Sequence, residues 1–261
     1  MILPAGLTIT ESRPDGFRIA IPEEWHQGRT AYGGLSSTLA LAAARTAAGE
    51  GLPPLRSAAV SFVGPLYGEV EARGRLLRQG KNATWASAEV TRDGECGLLA
   101  SFAFMGPVAS TLHLNERALP AGLVPVAEAR PRPFHPLMPV FLREYFETRF
   151  ALPPAASRQP EICAWFRLKD RTGLDPMSEL LLVADALPPG VMPLLNPGTP
   201  LSSMTWQVNL LTAAPATQDG WWLLRSRGEY AENGCSSQTM DVWNAMGEPV
   251  ATGMQAIAVF G

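Results

Sequence analysis

Residues 94–105 read GECGLLASFAFM, and residues 247–260 read GEPVATGMQAIAVF. Each opens on Gly-Glu after a turn signal, TRDG in one case and NAMG in the other. With Gly94-Glu95 laid on Gly247-Glu248, Ala100 falls on Gly253, Phe104 on Ile257 and Phe102 on Gln255. The match extends upstream. Before the first segment come RSAAVSFVGP (56–65), GEVEARGRLLRQG (68–80) and NATWASAEVTRDG (82–94). Before the second come SSMTWQVNLL (202–211), GWWLLRSRGEYAENG (220–234) and CSSQTMDVWNAMG (235–247). WASAEVT and SQTMDVW alternate apolar with polar residues, the period of a strand with one buried face. Asp93-Gly94 is a hairpin signal.

Each run follows one apolar helix. LSSTLALAAARTAAGEGLPP (35–54) is Ala-rich on nearly every side and stops at Gly49, Gly51 and Pro53. A helix without a polar face is wrapped by other structure. LDPMSELLLVADALPP (174–189) has Asp175 as its predicted N-cap, Pro176 at its first turn, and Pro188 and Pro189 as its stop. The chain therefore reads as a duplication of one unit: early strand, apolar helix, four antiparallel strands. The expected units are 1–106 and 136–261, joined by a linker over 107–135. Residues 107–160 carry ten of the 24 prolines, so LPAGLVPVAEARPRPFHPLMP (119–139) reads as extended surface chain. FLREYFETRF (141–150) is expected to open the second unit as a strand. An apolar helix wrapped by a curved antiparallel sheet is the hotdog arrangement. The expected class is α+β, a double hotdog of two curved sheets joined edge to edge, each wrapping a long apolar helix.

Bulk properties narrow the function. The 261 residues are 46% hydrophobic and 17% charged, with a formal net charge of −3. A chain of this length buries about 70–75% of its unfolded surface. No Lys/Arg block is present, so nucleic acid is not an expected partner. Cys96, Cys163 and Cys235 are far apart and odd in number, and read as three buried thiols in a reducing compartment. His26, His113 and His135 lack metal-ligand spacing, so no metal or other cofactor is expected. The N-terminal stretch lacks the basic and apolar regions of a leader, and no segment is long enough to span a membrane. Cytoplasm is the expected location.

One residue breaks the apolar pattern of the last strand. Gln255 sits beside Met254, Ala256 and Ile257, where an unpartnered buried amide costs about 1–3 kcal/mol. Either its side chain faces water or the interior uses it. Phe102 fills the matching position of the first half, so the strand itself does not need an amide. Asp185 is the second such residue. It lies near the C-terminal end of an apolar helix, with Leu181 and Leu182 one turn before it. Burial and the negative end of the helix both disfavour its charge, so its pKa should rise. Gly33-Gly34 leads into the first helix, where free N–H groups suit an oxyanion or simply allow tight packing. No GxSxG, GxGxxG or P-loop occurs. Trp206, Trp221, Trp222 and Trp243 read as core or interface residues.

Tyr32-Gly33-Gly34 before the first helix, VSFVGPLYGE after it, Asp185 in LLLVADALPP and Gln255 in VATGMQ occur in the order of the bacterial acyl-CoA thioesterase II family, which the chain resembles over essentially its whole length. That resemblance implies hydrolysis of acyl-CoA to free acid and CoA, without metal or covalent intermediate, by a homo-oligomer such as a dimer. It implies Asp185 as base, with Gln255 and a hydroxyl holding the water. It implies Tyr32, Gly33 and Gly34 at the substrate and oxyanion. The family threonine falls on Leu201 and a following aspartate on Ser203, within NPGTPLSSMTW (196–206). Ser202 and Ser203 are the candidate replacements, with Thr199 close by. Two alternatives stay open: a catalytically silent acyl-CoA binding protein, and a hotdog enoyl-CoA hydratase. Hydratases of this fold carry a histidine shortly after the aspartate, and none follows Asp185.

Overall fold

The structure is a computed structural model that describes residues 3–260. Met1, Ile2 and Gly261, the outermost residues of the expected units and of the N-terminal stretch, lie outside the described residues. The first half contains β1 (Thr8–Arg13), β2 (Gly16–Ile21), a small ribbon of β3 (His26–Gln27) and β4 (Thr30–Ala31), α1 (Gly33–Ala48), β5 (Leu55–Phe62), β6 (Gly68–Gln79), β7 (Ala83–Arg92) and β8 (Glu95–Met105). The second contains α2 (Val140–Tyr145), β9 (Phe146–Phe150), β10 (Glu161–Leu168), α3 (Pro176–Ala184), β11 (Leu201–Leu210), β12 (Trp222–Glu232), β13 (Cys235–Asn244) and β14 (Pro249–Val259).

Twelve strands form one sheet, ordered β1-β2-β6-β7-β8-β5-β11-β14-β13-β12-β10-β9. Outward from the middle, both halves repeat one order. The register repeats as well. Ala58 pairs with Phe102 and Ala86 with Phe102, while Trp206 pairs with Gln255 and Gln238 with Gln255. The sequence match of Phe102 with Gln255 is thus also a match of position in the sheet. At the join, Ala58 pairs with Val208 and Val60 with Trp206, with Ala59 opposite Gln207 between them. These pairs exchange under the duplication, so a pseudo-twofold axis passes through the Ala59–Gln207 pair.

The expectation of two sheets is corrected by this join. β5 and β11 are each the free edge of their own half. Pairing them satisfies both rows of backbone N–H and C=O groups, and a single continuous sheet results. The second helix is also shorter than expected, at nine residues. Asp175 caps it, accepting from the N–H of Met177 at 3.2 Å and of Ser178 at 3.1 Å, with Pro176 in the first turn. It stops at Ala184, and Asp185 is its C-cap. FLREYFETRF is not one strand. Its first part is the short helix α2, which follows Pro139 and stacks Phe141 on Tyr32 at 4.0 Å between ring centroids.

The proline-rich connection does more than cross the surface. Its Val124 carbonyl accepts from Trp165 Nε1 at 2.9 Å, and its Arg117 carbonyl from Trp243 Nε1 at 3.3 Å. With Ala129 it closes a second apolar cluster containing Trp165, Trp221 and Trp243. The cysteines are all free, but Cys235 is exposed and the other two half-buried. Cys235 is not a core thiol because it opens β13 directly after the turn at Asn233 and Gly234. No helix among the described residues is long and apolar enough to cross a membrane.

α1 packs on β2, β6, β7 and β8 and on α3. Its buried Ser37 and Thr38 donate to the carbonyls of Gly33 and Gly34 one turn back, which satisfies their hydroxyls. Arg45 near its C-terminal end donates to Asp175 Oδ2 at 2.9 Å and to Ser178 Oγ at 3.0 Å, so the two helices run antiparallel. Gly74 of β6 lets α1 lie directly on the sheet, since a Cβ there would stand 2.1 Å from the Ala43 carbonyl oxygen. Gly74→Ala is expected to cost about 1–3 kcal/mol. The check is urea unfolding, where the midpoint falls and the slope stays constant.

Candidate active site

Because the helices are antiparallel, the start of α1 meets the end of α3. Tyr32 is fully buried there, and its hydroxyl donates to the Leu182 carbonyl at 2.6 Å. Gly33 and Gly34 permit the approach. A Cβ on Gly33 would lie 2.5 Å from Asp185 Oδ2, and one on Gly34 would lie 2.5 Å from the Leu182 carbonyl oxygen. The Asp185 carboxylate therefore sits against the first turn of α1, at the positive end of that helix dipole.

Gln255 reaches the same carboxylate from β14. Its Nε2 donates to Asp185 Oδ1 at 2.6 Å. The question posed by its amide in an apolar strand has a structural answer: Gln255 is 4% exposed and the interior uses it. Behind it stands a residue that the sequence reading passed over. Gln238 of β13 is 0% exposed and donates from Nε2 to Gln255 Oε1 at 2.9 Å. Its own Oε1 accepts from the Gly190 N–H at 2.7 Å. The signal was present in SQTMDVW. The strand period places Gln238 on the same face as Met240 and Val242, a polar residue among apolar ones, as Gln255 is in β14.

Burial pushes the Asp185 carboxyl up from 3.8 to about 7, against the hydrogen bond from Gln255 and the Gly34 N–H that faces it, both of which favour the charged form. No cation contributes. As a whole residue Asp185 is half-buried, while its carboxyl is desolvated. Burial raises the Tyr32 hydroxyl well above its usual range, and the negative charge of Asp185 adds to that rise.

The other predicted residues fall as follows. Tyr32 has its hydroxyl committed to Leu182 and its ring to Phe141, so it ties the helices together. Ser203 pairs with buried Ile257 and shares the inner face of the sheet with Gln255. Ser202 is exposed and pairs with Ala258, whose side chain points the other way. Neither serine hydroxyl hydrogen-bonds to Asp185 or Gln255 among the described residues. A hollow of about 500 Å³, lined by Ala59, Leu99, Gln207 and Met254 among others, lies on the opposite face of the sheet from this cluster. Trp206, Trp221, Trp222 and Trp243 are all buried. No group of three or more His, Cys, Asp or Glu side chains among the described residues is arranged to hold a metal.

Residues 120–259 match the acyl-CoA thioesterase C-terminal domain and residues 21–105 the acyl-CoA thioesterase N-terminal domain. The chain belongs to the acyl-CoA thioesterase family. Its hotdog fold is shared with a conserved protein of unknown function from Alicyclobacillus acidocaldarius, at TM-score 0.82 and 20% identity over 94% of this chain and 93% of that one. The acyl-CoA thioesterase II TesB2 from Mycobacterium marinum superposes at TM-score 0.75 and 17% identity, over 97% of this chain and 95% of that one. The dehydratase domain of RzxB from Pseudomonas fluorescens superposes at 0.55 and 14% identity, over 95% and 97%. No curated protein matches the chain.

A carboxyl whose folded pKa is about 7 and whose unfolded pKa is near 3.8 binds more protons folded than unfolded between those values. Its effect on stability is therefore nil below about pH 4 and increasingly unfavourable up to about pH 7. Asp185→Asn keeps an acceptor for Gln255 and loses the charge. It is expected to raise stability at pH 8 by about 2–4 kcal/mol, and the gain should vanish as pH falls towards 4. Thermal melts of both proteins across that range measure it.

Proposed function

We propose that the protein hydrolyses acyl-CoA thioesters to free acid and CoA. The observation that carries this reading is Asp185. It is a desolvated carboxylate with a pKa of about 7, bonded to Gln255 at the N-terminus of α1, in a chain of the acyl-CoA thioesterase family. Asp185 takes a proton from a water held beside the Asp185–Gln255 pair, and the hydroxide attacks the thioester carbonyl. The oxyanion forms at the first turn of α1, beside Gly33, where helix N–H groups have no backbone partner within the helix. Collapse of the tetrahedral intermediate breaks the C–S bond, and the proton on Asp185 passes to the departing thiolate. Ser203 is the hydroxyl that the geometry favours for the water, since it shares the inner face with Gln255 and Ser202 does not.

The test is free-thiol release from acyl-CoAs of graded chain length and from aryl-CoAs. Wild type is expected to turn over part of the series, with kcat/KM rising with pH through about 7 as Asp185 loses its proton. Asp185→Asn should lower turnover by about 10²–10⁴-fold. Ser203→Ala should lower it and Ser202→Ala should leave it unchanged. Acyl-CoA binding without thiol release by wild type would overturn the enzyme reading in favour of a binding protein. Consumption of an enoyl-CoA without thiol release would make it a hydratase.

A further inference from the structure

We propose that Gln238 is a positioning residue that fixes the direction of the Gln255 amide through a one-way hydrogen-bond relay from the Gly190 N–H to the Asp185 carboxylate. A backbone N–H can only donate. The atom of Gln238 that meets Gly190 at 2.7 Å is therefore its oxygen. That turns the Gln238 nitrogen towards Gln255, 2.9 Å away, so the atom it meets there is the Gln255 oxygen. The Gln255 nitrogen is then left facing Asp185 at 2.6 Å. An amide has two ends of nearly equal shape and opposite hydrogen-bonding character. The relay removes the choice.

Three further observations support this. The relay closes a ring, because Asp185 and Gly190 lie in one short segment after α3. That segment is held on β12 independently of the glutamines. Ser226 Oγ donates to the Pro188 carbonyl at 2.9 Å, and a Cβ on Gly190 would stand 2.5 Å from the Gly228 nitrogen, so the backbones touch. The origin of the relay is thus a fixed point. The first half of the chain has Ala86 and Phe102 where the second has Gln238 and Gln255. The sheet is built in the same register without either amide, so neither is required by the strands.

The consequence for Asp185 lies in which protonation state can be satisfied. A locked Gln255 offers only a donor, which suits the carboxylate and leaves the proton of the neutral acid unmatched. A released Gln255 can turn its oxygen to that proton and satisfy both states. Ionisable groups near Asp185 do not confuse the reading. Tyr32 is the one that α1 places beside it. Glu179 of α3 is bound to Arg171 and to Trp222. Asp241 of β13 is on the other face, bound to Arg117 and Thr252. Phe62 of β5 and Gln255 of β14 bring no charge.

The experiment deletes the donor and reads the titration of Asp185 in two ways, using the full chain. Gln238→Met keeps the bulk and removes the amide. Stability against pH is measured for wild type and Gln238→Met, each with and without Asp185→Asn, and the difference within each pair isolates the titration of Asp185. The midpoint of that difference is expected to rise by about one pH unit, the tenfold change in acidity set by one charge-assisted hydrogen bond. The acid limb of kcat/KM for thiol release should move by the same amount. The kinetic arm rests on the thioesterase reading, and the stability arm does not. A shifted midpoint in a protein without turnover keeps the relay and overturns the enzyme. An unshifted midpoint overturns the relay even where wild type releases thiol, and a uniform loss of stability or rate with no shift has the same meaning. Should Gln238→Met not fold, Gln238→Ala supplies the same comparison, since Ala86 fills the matching site of the first half.

Discussion

The pairing of β5 with β11 is the contact on which the site depends. Two half-sheets with free edges could meet in many registers. Meeting about the Ala59–Gln207 pair sets a pseudo-twofold axis, and the helix of each half then inherits an orientation it could not choose alone. α1 and α3 lie antiparallel across that axis. One consequence is that a helix C-terminus, with Asp185 on it, faces a helix N-terminus with Gly33 and Gly34 on it. The negative end of α3 disfavours a carboxylate and the positive end of α1 favours one. The site is built where the two fields oppose.

Duplication alone would leave two equal ends. The opposite end of the helix pair carries Arg45, Asp175 and Ser178. It is partly exposed, and ion pairs in such positions contribute little to stability. The buried Asp185–Gln255–Gln238 cluster occurs at one end only because the halves differ on the inner face of the sheet. Phe102 gave the first half a core strand, while Gln255 and Gln238 gave the second a polar path through the core. An apolar strand with one amide is a liability, because the amide must find a partner. Two amides in adjacent strands, anchored on a backbone N–H and ending on a carboxylate, satisfy each other.

Strands and turns were legible because their signals are local. Asp93 and Gly94 both adopt positive φ, at 52° and 84°, as the Asp-Gly dipeptide implies. Asp175 and Pro176 likewise marked the start of α3. What escaped the sequence was decided by packing at a distance. FLREY is expected to continue as strand into FETRF, yet it is a helical turn after Pro139, and its Phe141 stacks on Tyr32. The proline-rich connection has no periodicity to show that it would cover Trp165 and Trp243. Asp185 and Gln255 stood out as polar residues in apolar runs, and the same rule applied to SQTMDVW would have found Gln238. Which face of the sheet Ser202 and Ser203 each take needed the register of β11 against β14, including the irregularity between Ser203 and Thr205.

The value of about 7 for Asp185 comes from a contest rather than from one cause. Burial alone would hold the acid neutral to higher pH. The donors, Gln255 and the Gly34 N–H, bring part of the carboxylate back without adding a positive charge. A lysine or arginine in their place would form an ion pair and depress the pKa further. Neutral donors correct the acidity by smaller steps. A neutral amide, however, acts as a donor only while it is held the right way round, so a carboxyl whose acidity is set by amides needs their direction fixed as well.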